Sequence, residues 1–418
     1  MRGKKIRRKQ GRYERRYVSV FGPMWIGRQR YYLEGSGNYH ALDDYLSLPP
    51  CQLSYKLQDW IGKRSTEENY RSSVELLNDM LGVGLEASEV KRVVERLAPV
   101  AADYYEGFAV QEVAAGEEEG SFLAFGNDGK GVPVVKLERG EEQQDVGRLM
   151  KGQKRGVKKQ ATVAVSFSFN PRVRSSEDIL RGLFREPSLE KTDWDRMSLQ
   201  VHRRAFMCDQ KKAIHYAIDQ LMARKDARDK PIVALVDCGT GLEEGILKAI
   251  ESKGMQGQLK AVIADIVHVS EYIWKAANAI LGEKYKGRTE WVRSVMKDML
   301  EGKVEQVIKD LRDNKDKVKL KEPAEEQLAI SINYLDNHKH KMQYKDYLEK
   351  GYPISTGLIE STCGHLVKDR MEDSGMRWTI TGAQQMLDLR AVHKNGDWNR
   401  FMTFVQQKNK PDKIKMAA

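Results

Sequence analysis

Cysteine is scarce and scattered in this chain. Cys51, Cys208, Cys238 and Cys363 are spread over 418 residues with no CxxC pair. That excludes a disulfide framework and a zinc-finger pattern, and it fits a reducing compartment. No apolar run reaches about eighteen residues, so no membrane span is expected. Residues 17–26 are too short a stretch, and too broken by Gly22 and Pro23, for a secretory signal core. No Gly-rich phosphate loop, dinucleotide fingerprint, Ser/His/Asp order or internal repeat occurs. Acids are nearly missing from the first 31 residues, where Glu14 stands alone against eleven Lys and Arg.

That last scarcity gives the net charge its meaning. The chain carries +11, and almost all of it sits in this segment, so the remainder is nearly balanced. Lys4, Lys5, Arg7, Arg8, Lys9, Arg12, Arg15 and Arg16 form an electrostatic footprint for phosphate backbones. Tyr13, Tyr17, Phe21, Trp25, Tyr31 and Tyr32 interleave with them and offer faces on which bases stack. The length allows two to four domains, and 40% hydrophobic residues with seven Trp suffice for a sizeable core.

Periodicity divides the rest. Residues 1–40 read as a basic arm and a ribbon-like segment of short strands, with a turn at 35–38. Residues 41–115 are helical; amphipathic stretches at 67–80 and 88–97 flank a glycine-containing turn. This pattern suits either a helix-turn-helix or a plain helical hairpin, and Lys91 and Arg92 on the second stretch are candidate DNA contacts. A short acidic linker covers 114–120. Residues 121–125 and 132–136 read as strands around a turn at 126–131, and 161–169 as a third strand after a charged loop at 138–159. The stretch 194–224 reads as helical. Residues 231–236 form a continuous apolar run, the mark of a parallel strand covered on both faces, ending at Asp237. A helix at 243–252 leads to a second such strand at 259–264, ending at Asp265. Strands, helix, strand, helix, strand suit an α/β mixed sheet of the ribonuclease H kind. This catalytic domain is expected over 116–268 and 351–400, with an all-helical insertion at 269–350 and a basic tail at 401–418.

Three carboxylates carry the candidate chemistry. Asp128 and Asp237 are expected at strand ends, and Glu360 in the first turn of a helix whose buried side is Ile359, Cys363, Leu366 and Val367. Acids converging from two strands and a helix suit divalent metal ions, with hard oxygen ligands favouring Mg²⁺ and Mn²⁺ substituting. Each acid also has a purely structural reading: a hairpin turn at Asp128-Gly129, a helix cap at Asp237, a first-turn acid at Glu360. Asp265 and His268, three residues apart where a strand enters a helix, read as near-site support through a structural hydrogen bond.

Longer motifs add a resemblance. Asn127-Asp128-Gly-Lys-Gly-Val-Pro133, Leu235-Val-Asp237-Cys-Gly-Thr-Gly241 and Ala264-Asp265-Ile-Val-His268 precede a long block from Gly351 to Trp398. That block holds Gly375-Met-Arg-Trp378 and Asn395-Gly-Asp-Trp398. Over nearly its whole length the chain resembles bacterial insertion-sequence DDE transposases of the ISKra type, with a Mutator-like layout. The resemblance implies Asp128, Asp237 and Glu360 as a metal-binding triad and a ribonuclease H-like domain split by a helical insertion. The chain would be an enzyme that cuts element ends and joins the 3′-hydroxyl to target DNA. Arg377 and Trp378 join the candidate DNA contacts. Double-stranded DNA, no membrane, a homodimer or higher oligomer on DNA, and a cytoplasmic, nucleoid-associated location follow as expectations. The chain departs from the pattern in having no cysteines at 28–44, so zinc is unsupported. It also has Lys130 where threonine is usual and Cys238 where glycine is usual. The competing readings are a transposase-derived DNA-binding protein without catalysis and a metal-dependent nuclease.

Overall fold

The computed structural model describes residues 6–33, 37–107, 118–138, 157–186, 198–224, 226–239, 241–317, 320–373 and 375–409. Lys4, Lys5, most of the acidic linker and of the charged loop, part of the turn at 35–38, and residues 410–418 lie outside them. The fold is mixed α/β. In chain order it runs β1 (Ile6–Ser19), β2 (Gly22–Leu33), β3 (Gly37–Tyr39), α1 (Ala41–Tyr45), α2 (Tyr55–Glu67), α3 (Tyr70–Leu81), α4 (Ala87–Gly107), β4 (Phe122–Pro133), β5 (Lys158–Phe169), α5 (Ser176–Leu183), β6 (Leu199–Met207), α6 (Gln210–Met222), β7 (Ile232–Val236), α7 (Leu242–Ser252) and β8 (Leu259–Ala264). Helices follow: α8 (Ile266–Leu281), α9 (Arg288–Leu300), α10 (Val304–Lys317), α11 (Glu322–His338), α12 (Tyr344–Glu349) and α13 (Gly357–Thr362). A π-helical turn at Cys363–Lys368 leads to α14 (Asp369–Met371), α15 (Ile380–Lys394) and α16 (Trp398–Lys408).

Two compact units divide the chain. One comprises Met1–Phe108, Val132–Lys158 and Leu366–Ala418; the other comprises Ala109–Gly131 and Lys159–His365. The second unit is built on a five-stranded sheet of order β6-β5-β4-β7-β8. β4, β7 and β8 run parallel, and β5 and β6 antiparallel. All five residues of β7 are buried, as its unbroken apolar run requires. One face of the sheet, through Leu123, Phe125, Ala234 and Val236, packs on Ala213, Ile214 and Ala217 of α6 and Ile246 and Ile250 of α7. Between 266 and 349 the described residues form helices α8 to α12 joined by short connections.

Two expectations are corrected, and one helix was not anticipated. Residues 122–133 are one strand, not two around a turn. Gly126 is there for close approach: a Cβ on it would collide with the buried Ile359 side chain, whereas one on Gly129 would meet only the end of the exposed Gln160 side chain. Residues 199–207 are a strand, not the start of a helix, because backbone pairing with β5 from Ala161↔Met207 to Ser168↔Leu199 claims them. Helix α5, unanticipated, begins with a capping box: Ser175 accepts from the Asp178 N–H, and Asp178 accepts from the Ser175 N–H. The motif was present in the sequence.

In the first unit the basic segment forms a hairpin of β1 and β2 with β3 at its edge. Arg15 and Arg28 converge on Asp43, and Arg15 also donates to the Pro49 and Cys51 carbonyls. Arg15 is therefore a structural residue tying the hairpin to the α1 region and not a free DNA contact. Phe21 at the hairpin tip is 93% exposed, and Trp25 is 67% exposed. Helices α3 and α4 occupy the two amphipathic stretches, joined across Gly82, which takes a φ of +61° at the C-cap of α3. Lys91 and Arg92 are exposed, and Lys91 pairs with Glu95 one turn on.

The C-terminal segment completes this unit. Helix α15 packs on α2 and α4, and α16 packs on α2, α4 and α15. The expected basic tail is, from 401 to 408, part of a core helix with Phe401, Met402 and Val405 buried. Trp378 is corrected too: it is buried, its indole N–H donates to the Met371 carbonyl at 3.2 Å, and the Arg370 guanidinium lies over its ring. It offers no face to a base. Two buried arginines hold the unit together. Arg370 donates to the Ser65 carbonyl at 2.9 Å, and Arg390 donates to the Thr66 carbonyl and, at 2.7 Å, to that of Leu366. Ser65 and Thr66 lie in the last turn of α2, where unpaired carbonyls and the helix dipole favour a cation.

Removing the buried guanidinium of Arg390 leaves these carbonyls unpaired. We expect Arg390→Ala to lower unfolding free energy by about 3–5 kcal/mol. Arg64→Ala, at a half-exposed pair with Glu68, should cost under about 1 kcal/mol. Urea denaturation followed by circular dichroism checks both.

Candidate metal-binding carboxylate site

Register brings two of the acids together. β4 and β7 are parallel with Gly126 opposite Leu235. Two residues further along each strand stand Asp128 and Asp237, on neighbours that lie about 4.8 Å apart in any sheet. Asp128 sits within β4, not at its end, whereas Asp237 directly follows the last residue of β7. The Asp237 carboxylate accepts from the Gly239 N–H at 2.9 Å, and Asp128 accepts from the Gly129 N–H at 2.6 Å.

The third acid arrives through a contact only glycine permits. Ile359, fully buried on α13, lies directly over Gly126, where a Cβ would also stand 2.8 Å from the Leu235 carbonyl oxygen. With Ile359 seated there, the next residue, Glu360, is exposed. Its carboxyl is pushed up from its ordinary range by burial and then by the charges of Asp265 and Asp128. Asp128 is also pushed up, first by burial and further by the charge of Asp237. The Cys363 thiol donates to the Asp128 carboxylate and opposes that shift. Burial, the charge of Asp128 and the same bond raise the Cys363 thiol above its ordinary value.

Asp265 and His268 take distinct places. Asp265 is 1% exposed. Its carboxylate accepts from the Val267 N–H at 3.1 Å, capping α8, and from the Thr356 N–H at 3.1 Å and hydroxyl at 2.7 Å. It therefore anchors the segment that leads into α13, the structural role read from the sequence. His268, in the first turn of α8, packs edge-on against Tyr272 and Tyr334 and lies 3.7 Å from Glu271. It is near enough to Asp128 and Glu360 to oppose the upward shifts of their carboxyls.

Sequence reasoning missed Tyr334. Its ring stacks on Tyr272 with centroids 3.7 Å apart and planes 7° from parallel, and its hydroxyl donates to the Asp237 carbonyl at 3.4 Å. No local signal separates it from other aromatic residues on the insertion. It also missed Lys341, buried beside Glu243 at 2.6 Å.

In chemistry the donor set fits a hard divalent cation. It offers three carboxylates, and two of them are pushed towards the protonated form by burial and mutual repulsion, which a cation would reverse. Among the described residues no three His, Cys, Asp or Glu are gathered closely enough to form a ready cage. The acids share a charged neighbourhood and not a closed ligand set. A cavity of about 550 Å³ lies behind α13, lined by Phe167, Phe169, Arg174, Ile266 and Leu358 among others. None of the three acids lines it, so they stand outside this cavity.

No protein-family model matches this sequence, and no curated protein matches it.

The raised carboxyls fix a sign. Asp128 and Glu360 hold their protons above the pH at which the unfolded chain loses them. Stability therefore falls as pH rises out of the ordinary carboxylate range through their raised values. Asp128→Asn removes one of the two and should raise the melting temperature at neutral pH while flattening that slope. Thermal unfolding measured from mildly acidic to neutral pH checks this; a slope as steep as the wild type's would show that Asp128 is ionised without penalty.

Proposed function

We propose that this protein is a DNA transposase of the insertion-sequence DDE type, with a ribonuclease H-like catalytic domain split by the helical insertion. The observation that carries the reading is the side-by-side register of Asp128 and Asp237 on parallel strands, with the Ile359–Gly126 contact seating the helix whose Glu360 carboxyl feels the charge of Asp128. The sheet order supports it: in a sheet with parallel β4-β7-β8 beside antiparallel β5-β6, Asp237 follows the carboxyl end of the central strand β7, where ligands gather in open α/β sheets.

Asp128, Asp237 and Glu360 would hold Mg²⁺, with Mn²⁺ substituting; bound there, the cation supplies activation of a water or 3′-hydroxyl and charge for the leaving oxygen of a phosphodiester. The residues of the chain do the positioning. Gly126 admits the helix that carries Glu360. Asp265 holds Thr356 and so fixes where that helix starts. Cys363 orients the Asp128 carboxylate. His268 places an imidazole near two of the acids. The partner is double-stranded DNA, bound first through phosphates by the hairpin. There Arg7, Arg8 and Lys9 are exposed and Arg16 is half-buried opposite Trp25. Lys91, Arg92 and exposed Arg377 are further candidate contacts. Arg12 lies on β1. The protein acts as a homodimer or higher oligomer on DNA in the cytoplasm, at the nucleoid. Among the described residues no helix is long and apolar enough to cross a membrane.

The decisive measurement is Mg²⁺-dependent strand transfer with labelled element ends, beside a DNA-binding titration. Asp237→Asn should bind DNA as the wild type does while joining falls by at least about a hundredfold, or roughly 2.7 kcal/mol of lost transition-state stabilisation. Glu360→Gln should do the same, and the double variant should add little, because the acids act as one site. Wild-type protein that binds and never cleaves would identify a DNA-binding protein without catalysis. Cleavage without joining would identify a nuclease.

The hairpin has its own test. Replacing Arg7, Arg8 and Lys9 with alanine should flatten the slope of log K against log salt by about 0.9 for each phosphate that is no longer neutralised. An unchanged slope would exclude the hairpin from the DNA interface.

A further inference from the structure

The turn after β7 is held in an unfavourable conformation. Cys238 has a φ of +63°, a left-handed geometry that glycine adopts freely and other residues adopt at a cost. Such a turn persists only where its surroundings hold it. Here the insertion grips the loop at both ends. At its start the Tyr334 hydroxyl donates to the Asp237 carbonyl at 3.4 Å and lies within hydrogen-bond reach of the Cys238 thiol. At its far end Lys341 and His340 bind Glu243, in the first turn of α7, at 2.6 and 3.0 Å. Tyr334 is itself fixed. Its ring is stacked face to face on Tyr272, the Lys275 ammonium lies 4.1 Å from the centre of the Tyr272 ring, and the His338 ring meets Tyr334 edge-on at 5.0 Å.

We propose that Tyr334 is a positioning residue for Asp237: from the helical insertion, its hydroxyl holds the strained Asp237–Cys238 turn in the conformation that presents the Asp237 carboxylate beside Asp128. The proposal rests on the reading of Asp237 as a metal-binding carboxylate. It gives the insertion a direct part in the site. The turn is set by two groups together, a side chain at 238 that strains the backbone and a hydroxyl at 334 that restrains it. A glycine at 238 would need no such restraint.

Tyr334→Phe tests this, because the ring and its stack on Tyr272 are kept and only the hydroxyl is lost. Two readouts are followed: hydrogen–deuterium exchange of the peptide covering 237–245, which needs no metal, and Mn²⁺ affinity by calorimetry. In Tyr334→Phe, exchange in that peptide should quicken several-fold and Mn²⁺ affinity should fall about tenfold, as for other residues that orient a metal ligand. In a Cys238→Gly background both effects of Tyr334→Phe should shrink to within about twofold, a coupling that general destabilisation would not produce. Unchanged exchange in Tyr334→Phe overturns the proposal whatever the metal does. So does an effect of equal size in the Cys238→Gly background. Quickened exchange together with wild-type Mn²⁺ binding by Asp237→Asn keeps Tyr334 as the residue that holds the turn and refutes the metal reading of Asp237 instead.

Discussion

One buried carboxylate decides where the second unit's chain ends up. After β8 the backbone runs through five helices before the segment that leads into α13. Asp265 closes that excursion: it caps the outgoing helix and accepts two hydrogen bonds from the returning Thr356. The Ile266 N–H adds a backbone bond to the Ile354 carbonyl at 3.0 Å. The entropy of closing a loop grows only slowly with its length. A single clamp with several bonds can therefore hold a long insertion, and the length of the insertion is nearly free to vary. Removing the clamp would leave α13 without a fixed start and Glu360 without a fixed place.

The site that depends on this clamp carries an internal tension. Burial raises two of its acids and their charges repel, yet a thiol, a glycine N–H and an imidazole favour the ionised forms. Such opposition is unhelpful to stability alone and is common where a group must change its charge state or bind a cation. The backbone at Cys238 adds strain to the same corner of the sheet.

Much of this was legible in the sequence, for stated reasons. The strands at 232–236 and 259–264 announced themselves as unbroken apolar runs, and the position of Asp237 followed from where the first one stops. The helices of the insertion showed their 3.6-residue spacing. The rest was hidden where one residue type serves two purposes. Gly126 signals a turn as readily as a close approach, and only the bulk of Ile359 tells which. The arginines of β6 obscured an edge strand. Trp378 and Arg15, in polar company, look like surface residues; one is buried beneath a guanidinium and the other is bonded to Asp43 and two carbonyls. Tyr334 acts on Asp237 from 97 positions away, and no local pattern carries that.

The two guanidiniums on the last turn of α2 have a consequence for the order in which the protein can form. The helices they stabilise are made early, and the arginines themselves, with α15 and α16, are made near the end. At ribosomal speeds the separation is on the order of tens of seconds. For that time the apolar sides of α2 and α4 have no lid. The N-terminal unit can become native only after the second unit has been synthesised, so a stalled or shortened chain releases a half-core that is a natural substrate for chaperones and proteases.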